Sequence, residues 1–267
     1  MLLCAIAVAR PLVHHRAGRI VALSTSSADA VPAIAESLAA IRGKVEQAVA
    51  SAGRTAPPRL VAVSKTKPVE LLRAAYDAGQ RDFGENYVQE LISKAPEMPA
   101  DVSWRFIGKL QSNKAKPLVQ SVPSLVAVET VDSAKLANKL QNAVAGLTTP
   151  RANPLNVMIQ VNTSPWEGSK GGVLAEDAPG LAKHIASSCP DLTLTGLMTI
   201  GEPGNPQCFD ALRECRTAVA QELSVQPSAL ELSMGMSGDF EAAIAAGSDS
   251  VRVGSSIFGA RDYGPKA

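Results

Sequence analysis

The sequence predicts an α/β fold, most simply a single (β/α)8 barrel of the TIM type with an extra helix before its first strand. Three observations support this prediction. Eight short apolar runs have strand character, amphipathic helical stretches separate them, and the chain has 267 residues, a length that suits one such barrel. An open doubly wound sheet is the alternative architecture. It is less favoured, because no GxGxxG sequence follows the first predicted strand.

The extra helix is the first predicted element. Its apolar residues recur at helical spacing, at Ile34, Leu38, Ile41, Val45 and Val49. A turn that contains glycine and proline, residues 53–58, then ends the helix and leads into the first strand.

The eight predicted strands are short runs of apolar and β-branched residues. They are Leu60–Val63, Asp82–Asn86, Trp104–Gly108, Leu125–Val131, Asn156–Asn162, Thr193–Ile200, Ala229–Met234 and Ser250–Gly254. Amphipathic helices are predicted between several of them, at Glu70–Ala78, Ser133–Ala145, Glu176–Ser187, Phe209–Leu223 and Asp239–Ala246. Because repeated strand–helix units give parallel strands with right-handed crossovers, these units close most simply into a barrel.

Composition and charge argue against several classes of function. The chain has 26 basic and 25 acidic residues and a formal net charge of +1, so no global field attracts nucleic acid or an anionic membrane. No apolar run reaches the length of a membrane span. The cysteines, Cys4, Cys189, Cys208 and Cys215, form no CxxC pair, so neither a zinc site nor a disulfide framework is predicted. Cys208 and Cys215 lie a heptad apart and are expected to pack within a helix.

The N-terminal segment Met1–Ala30 differs in composition from residues 31–267, which we predict to form the barrel domain. The segment contains three arginines and has no acidic residue before Asp29, a composition typical of an organellar transit peptide. That hypothesis places the protein in a mitochondrion or a plastid, which the sequence does not distinguish. The alternative is a disordered extension without an address, and the cytoplasm would then be the compartment.

Lys65 is the strongest local signal, because it follows the β-branched run Leu60–Val63 and stands shortly before Pro68. A lysine packed at the end of a buried strand has its charged form disfavoured, so its free amine becomes available near neutral pH to attack a carbonyl. Such a lysine can form a Schiff base. A solvated lysine at a strand end is the general alternative.

Segments that contain glycine and serine follow the last two predicted strands, at residues 231–239 and 251–259. In α/β barrels this region commonly binds phosphate through hydroxyl and backbone N–H groups. Gly254 would let the backbone approach the anion, and Ser255 would donate from both groups. Ordinary turn chemistry would explain either segment alone. Arg252 alternates with two valines and is expected to point into the barrel, where a guanidinium needs an acceptor.

Asn86 is a further polar residue at a strand end. It could hydrogen-bond a ligand oxygen or cap a turn. Its position beside a strand-end lysine, a phosphate cradle made by two loops and an inward arginine favours the first interpretation. Together these features predict a site for a phosphorylated aldehyde, and pyridoxal 5'-phosphate fits that description.

Seven motifs occur in order along the chain: AVSKTKP, FGENYVQE, WRFIGKLQSNK, NTS with SKGG, GLMTIG, LSMGMSGD and VRVGSSIFGAR. Together they resemble the pyridoxal phosphate homeostasis protein family, over roughly residues 31–263. That family resembles the N-terminal barrel of alanine racemase and of fold-type III decarboxylases. The resemblance therefore implies a barrel of the alanine racemase N-terminal type.

The resemblance also implies a role for each site residue. Lys65 would carry pyridoxal phosphate as a Schiff base. Arg252 would face the pyridine nitrogen and keep it unprotonated, which limits carbanion chemistry. The implied phosphate ligands are Ser233, Ser237, Gly254 and Ser255. Lys67 is a candidate accessory or transfer lysine, and Asn86 completes the expected set.

The implied function is binding of pyridoxal phosphate for intracellular cofactor homeostasis, without enzymatic turnover and without a metal. A carrier or regulator of this kind would supply PLP-dependent apoenzymes and influence amino-acid and keto-acid balance. The chain ends soon after Phe258, so we expect a monomer without the β-rich second domain that gives racemases a tyrosine base. Two alternatives stay open: a small fold-type III enzyme such as an amino-acid racemase, and a barrel that binds a sugar phosphate without a Schiff base.

Some positions depart from the family pattern. Arg105 replaces the usual histidine, and Lys109 occupies a loop position more often filled by proline or histidine, so a more basic rim of the site is expected. The segment Pro165–Gly168 looks longer than usual by one residue and is expected to reshape the rim. Trp166 is expected to be exposed and to pack within this loop.

Overall fold

The computed structural model describes residues 27–164 and 171–260, and within them eight parallel strands close into a barrel. The strands are β1 (Arg59–Val63), β2 (Asp82–Glu85), β3 (Ser103–Phe106), β4 (Leu125–Val131), β5 (Leu155–Gln160), β6 (Leu192–Met198), β7 (Glu231–Met236) and β8 (Ser250–Val253). Each strand pairs with the next along the chain, and β1 pairs with β8. The predicted barrel is therefore confirmed, and the doubly wound alternative is wrong.

The described residues also form nine α-helices, most of which connect successive strands. They are α1 (Ser27–Ser51), α2 (Val69–Asp77), α3 (Val88–Lys94), α4 (Ala115–Ser121), α5 (Ala134–Ala145), α6 (Ala178–Ser188), α7 (Gln207–Leu223), α8 (Phe240–Ala245) and α9 (Ser255–Phe258). Cys208 and Cys215 are buried on α7, which confirms their predicted packing role. No helix in the described part of the chain is long and apolar enough to cross a membrane.

The extra N-terminal helix is confirmed as α1. Its apolar residues Ile34, Leu38, Ile41 and Val45 are buried, and the helix packs against α2, α8 and α9. Arg42 extends this contact, because its guanidinium donates to a backbone carbonyl just beyond α2 at 2.9 Å. The helix α1 therefore covers the side of the barrel where the first and last strands meet.

The main hydrophobic core lies between the outer face of the barrel and the helices. Val251 and Val253 belong to this core, whereas alternate residues along each strand point into the barrel. Arg252, between the two valines, points inward, which confirms the prediction from alternation. The interior is partly polar, since Glu129 and Ser233 are also fully buried there.

The strand β7 shows the largest difference from the predicted boundaries. The sequence predicts this strand at Ala229–Met234, and it lies at Glu231–Met236, because Pro227–Ala229 forms a short 3-10 turn first. The helices α3, α4 and α9 are not among the predicted ones. They have seven, seven and four residues, and helices this short give only a weak periodic pattern, although the six residues of α8 lie within a predicted helix.

Gly235 allows α8 to pack closely on β7. It has a φ of 94°, and a Cβ added there would lie 2.5 Å from the Cβ of Ala243. Gly247 has the same φ of 94°, but a Cβ added there would meet no atom within 4 Å. An alanine at either position therefore adopts a strained backbone conformation, but only an alanine at position 235 is also crowded by a neighbouring atom.

We expect Gly235→Ala to destabilise the protein more than Gly247→Ala does. Both variants carry the strain of a left-handed conformation, about 1–2 kcal/mol. Only Gly235→Ala adds overpacking, which typically costs about 1–3 kcal/mol more. Urea denaturation measures the free energy of unfolding of both variants, and equal losses would contradict the crowding at Ala243.

Candidate functional site

A cavity of about 390 Å³ lies at the carboxyl ends of the strands. Six of the seven predicted site residues line it: Lys65, Asn86, Ser237, Arg252, Gly254 and Ser255. Apolar side chains form much of the remaining wall, and they are Val63, Ile107, Met198, Ile200 and Met236. The polar residues come from β1, β2, β7 and β8 and the loops after them, which are neighbours in the closed barrel.

Lys65 reaches the cavity because side chains alternate along β1 and the residues that follow it. Val63 lines the cavity, Ser64 points the other way, and Lys65 again points inward. The next residue, Thr66, has a φ of 60°, a strained conformation for a β-branched residue. The chain therefore turns sharply just after the lysine and directs the lysine side chain into the cavity.

A buried ion cluster of Lys94, Glu85 and Glu90 lies behind the site lysine. The ammonium of Lys94 donates to Oε1 of Glu85 at 2.8 Å and to Oε2 of Glu90 at 2.7 Å. It also donates to the backbone carbonyl of Ser64 at 3.0 Å. The backbone N–H of Thr66 donates to Oε2 of Glu90 at 2.8 Å. The cluster therefore fixes the backbone on both sides of the lysine.

Burial raises the pKa of Glu85, and the ammonium of Lys94 and the hydroxyl of Ser64 oppose that shift. The carboxylate of Glu85 is fully buried and the Lys94 side chain is 8% exposed, so each charge depends on the other. Sequence reasoning missed this cluster, because Glu85 and Lys94 lie on different elements. The available signal was the i,i+4 spacing of Glu90 and Lys94 on one helix face.

We expect Lys94→Met to destabilise the protein by about 3–5 kcal/mol, because the fully buried carboxylate of Glu85 and the partly exposed carboxylate of Glu90 lose their shared cation. The double variant Glu85→Gln/Lys94→Met should recover part of this loss, since it removes the fully buried negative charge. Chemical denaturation gives the free energy of unfolding of each variant. A double variant no more stable than Lys94→Met would show that the two charges are not coupled.

The loops after β7 and β8 meet at one side of the cavity. The backbone N–H of Gly254 donates to Oγ of Ser237 at 3.1 Å. A Cβ at position 254 would lie 3.2 Å from the carbonyl oxygen of Val63, so glycine lets this loop approach β1. Ser255 begins α9, and N–H groups in the first turn of a helix lack intrahelical acceptors. Hydroxyl and N–H groups of this kind are the donors that an anion requires.

Arg252 forms part of the cavity floor and is held on two sides. Its two terminal nitrogens donate to Oγ of Ser233 and to the carbonyl oxygen of Thr199, each at 2.7 Å. Ser233 in turn donates to Oε2 of Glu129 at 2.6 Å. Burial lowers the pKa of Arg252, and the negative charges of Glu129 and Asp239 oppose this shift. An arginine remains protonated at neutral pH, so the floor of the cavity is cationic.

Ser233 is the predicted site residue that does not line the cavity. It is fully buried, and its hydroxyl is engaged with Arg252 and Glu129. The structure therefore places Ser233 beneath the guanidinium, and its contact with a phosphate stays a prediction.

Asn86 lies at the cavity wall with its carboxamide oxygen buried, and the described residues supply no hydrogen-bond partner for that atom. A buried polar atom without a partner costs about 1–3 kcal/mol. The backbone of Asn86 is held in place by Gly108, where an added Cβ would lie 2.1 Å from the Asn86 carbonyl oxygen. A polar ligand group in the cavity would therefore complete the hydrogen bonding of Asn86.

The basic residues near the site lie in different environments. Lys67 lines the cavity, and its ammonium donates at 2.5 Å to a backbone carbonyl near the end of the described chain. Lys109 is exposed. The expectation that Arg105 makes the rim more basic is wrong. Arg105 faces into the barrel from β3, is buried, and pairs with Asp82 and Glu129.

Two sets of predictions concern residues outside the described ones. These are residues 1–26 of the proposed transit peptide, and residues 165–168 with Trp166. Both stay predictions. Within residues 27–164 and 171–260, no group of three or more His, Cys, Asp or Glu side chains could hold a metal ion.

The cavity residues fit pyridoxal 5'-phosphate, the group implied by the sequence motifs. A lysine amine can bind the aldehyde, the loops after β7 and β8 offer donors for the phosphate, and Arg252 offers a donor for the ring nitrogen. The buried oxygen of Asn86 needs a polar partner that a bound ligand can supply. The arrangement can therefore hold a phosphorylated aromatic aldehyde.

Comparison with known sequences agrees with this geometry. The chain matches the family model described as alanine racemase, N-terminal domain, over residues 37–262. It is 46% identical over 244 residues to the pyridoxal phosphate homeostasis protein of Bos taurus, and the alignment covers 86% of this chain and 88% of that protein. The protein of the same name from Escherichia coli (strain K12) is 41% identical over 240 residues, with 87% of this chain and 99% of that protein covered.

Comparison with solved structures finds the same architecture. PipY of Synechococcus elongatus PCC7942, solved with PLP bound, is 34% identical with a TM-score of 0.68, covering 85% of this chain and 100% of that chain. Alanine racemase from Corynebacterium glutamicum is 17% identical with a TM-score of 0.61, covering 86% of this chain and 62% of that chain. At that identity the second likeness shows the fold alone.

Proposed function

Since the chain belongs to the pyridoxal phosphate homeostasis protein family, within the broader alanine racemase N-terminal domain family, we propose that it binds pyridoxal 5'-phosphate and serves cofactor homeostasis. One observation carries the proposal. The side chains of Lys65 and Arg252 and the loop residues Ser237 and Ser255 line a single cavity. The related PipY structure with PLP bound supports the choice of ligand.

Each polar residue has a distinct part in this binding. Lys65 would hold the cofactor covalently, through condensation of its amine with the aldehyde and release of one water. Ser237 and Ser255 would donate hydrogen bonds to the phosphate, and Gly254, whose N–H donates to Oγ of Ser237, would let the loop backbone come close to it. Arg252 would donate to the ring nitrogen and, being protonated, would keep that nitrogen unprotonated. The bound cofactor supplies an electron sink, and this sink is weak when the ring nitrogen carries no proton.

A carrier or regulator is the role that these properties support best. A covalent but reversible attachment keeps a reactive aldehyde low in concentration, and a cavity at the open end of the barrel allows its release to PLP-dependent apoenzymes. Such a role influences amino-acid and keto-acid balance. We propose that the protein acts as a monomer, in a mitochondrion or plastid if residues 1–30 are a transit peptide and otherwise in the cytoplasm.

A small fold-type III enzyme is the second candidate function. One observation favours it, since Lys67 lines the cavity together with Lys65 and a second amine could move a proton at the Cα of a bound amino acid. A barrel that binds a sugar phosphate is a third candidate, and it requires no covalent attachment at Lys65.

We expect purified protein to develop a visible absorption band with pyridoxal 5'-phosphate, because covalent attachment creates a conjugated imine. Borohydride reduction followed by peptide mapping should locate the cofactor on Lys65. Lys65→Ala should lose the band, and Lys109→Ala, which removes an exposed lysine outside the cavity, should retain it. The absence of a band in the wild type would contradict covalent binding and favour the sugar-phosphate candidate.

Two further experiments on the protein loaded with pyridoxal 5'-phosphate distinguish the carrier function from the enzyme function. A carrier should transfer the cofactor to an apoenzyme and restore its activity, while added alanine gains no solvent deuterium at Cα. Deuterium incorporation that depends on Lys67 would instead establish the enzyme.

We expect Ser255→Ala to weaken pyridoxal 5'-phosphate binding by about tenfold or more, since a hydrogen bond to a charged group contributes about 1.5–3 kcal/mol. The affinity for pyridoxal, which has no phosphate, should change little. Ser256→Ala is the matched control, because Ser256 is also exposed and is not among the cavity residues. Equilibrium titration measures both ligands, and equal weakening of both by Ser255→Ala would place the phosphate elsewhere.

A further inference from the structure

A series of alternating charges crosses the barrel interior beneath the cavity. It begins at Arg252 on β8 and passes through the hydroxyl of Ser233 to Glu129 on β4, which is fully buried. Glu129 also pairs with Arg105 at 3.3 Å, and Arg105 pairs with Asp82 at 2.8 Å. Glu129 therefore links the cavity floor to a structural ion network.

Glu129 and Arg252 together fix the direction of hydrogen bonding at Ser233. The hydroxyl has one proton, and Ser233 donates it to Oε2 of Glu129 at 2.6 Å. The lone pairs of Ser233 then accept from Arg252 at 2.7 Å. Because a guanidinium can only donate, the hydroxyl proton of Ser233 is directed to Glu129, which holds the lone pairs of Ser233 toward Arg252.

The same carboxylate compensates a buried positive charge. Arg252 is 4% exposed, and an unpaired guanidinium at that depth is costly. Of the two carboxylates that favour its charged form, Glu129 has a larger effect than Asp239. Glu129 thus acts on both the orientation and the charge of Arg252.

We propose that Glu129 is a positioning residue for the cofactor, which aims the charged guanidinium of Arg252 at the ring nitrogen through Ser233. The inference rests on the proposed function, because it requires Arg252 to face that nitrogen. Glu129 is not among the residues that line the cavity, so it acts only through its neighbours. If Glu129 positions Arg252 in this way, the protein binds ligands that have the ring nitrogen more tightly than ligands that lack it.

The test compares pyridoxal 5'-phosphate with its carbocyclic analogue, in which a C–H group replaces the ring nitrogen. The wild type should prefer the natural cofactor by about tenfold, as one hydrogen bond from a charged donor allows. Glu129→Gln keeps the shape and one acceptor oxygen but removes the charge, and it should reduce that preference severalfold. Ser233→Ala leaves the charge but interrupts the contact, and it should reduce the preference as well.

Glu231→Gln is the control, because it removes a carboxylate that pairs with Arg59 at 2.8 Å at the opposite end of the barrel. It should keep the wild-type preference even where thermal unfolding shows lower stability. An unchanged preference in Ser233→Ala and in folded Glu129→Gln overturns the proposal, as does a wild type without any preference. In either case, borohydride trapping of both ligands on Lys65 leaves the proposed function standing, whereas a wild type without trapping contradicts that function itself.

Discussion

The closure of eight parallel strands is the constraint on which the rest of the structure depends. Alternate residues of each strand face the inside of a closed barrel, so every inward charge must find a partner where water has little access. Arg105 meets this requirement with Asp82 and Glu129, and Glu129 reaches Arg252 through Ser233. The floor of the cavity is therefore one end of a network that the barrel itself requires.

The same closure assembles the cavity from distant parts of the chain. Because β8 pairs with β1, and β7 and β2 flank that pair, Lys65 and Arg252 come to line one space although they lie near opposite ends of the barrel sequence. Gly254 makes the approach possible, since a side chain there would crowd the carbonyl of Val63. Strand order therefore brings the amine and the guanidinium to one cavity.

Two separate ion networks hold the two sides of this cavity. One lies outside the barrel wall, where Lys94 joins Glu85 and Glu90 and fixes the backbone around Lys65. The other lies inside and holds Arg252. Buried ion pairs add little net stability compared with apolar packing, so positioning of the site is the better physical reason for both networks. The fold and the shape of the cavity consequently depend on the same side chains.

By itself the sequence determined the order of strands and helices, and hence the barrel, because those features follow from local periodicity and turn residues. It also determined that Lys65, Asn86 and Ser255 line the cavity and that Arg252 points inward, since each of these features depends on a strand end or on alternation. Only the tertiary structure decided three other features. These are the placement of Arg105 in the interior, the position of Ser233 beneath the cavity floor, and the choice of Glu129 and Lys94 as ion partners. The physical reason is that the partner of a buried charge is set by strand register and helix packing across the closed barrel, which no local pattern contains.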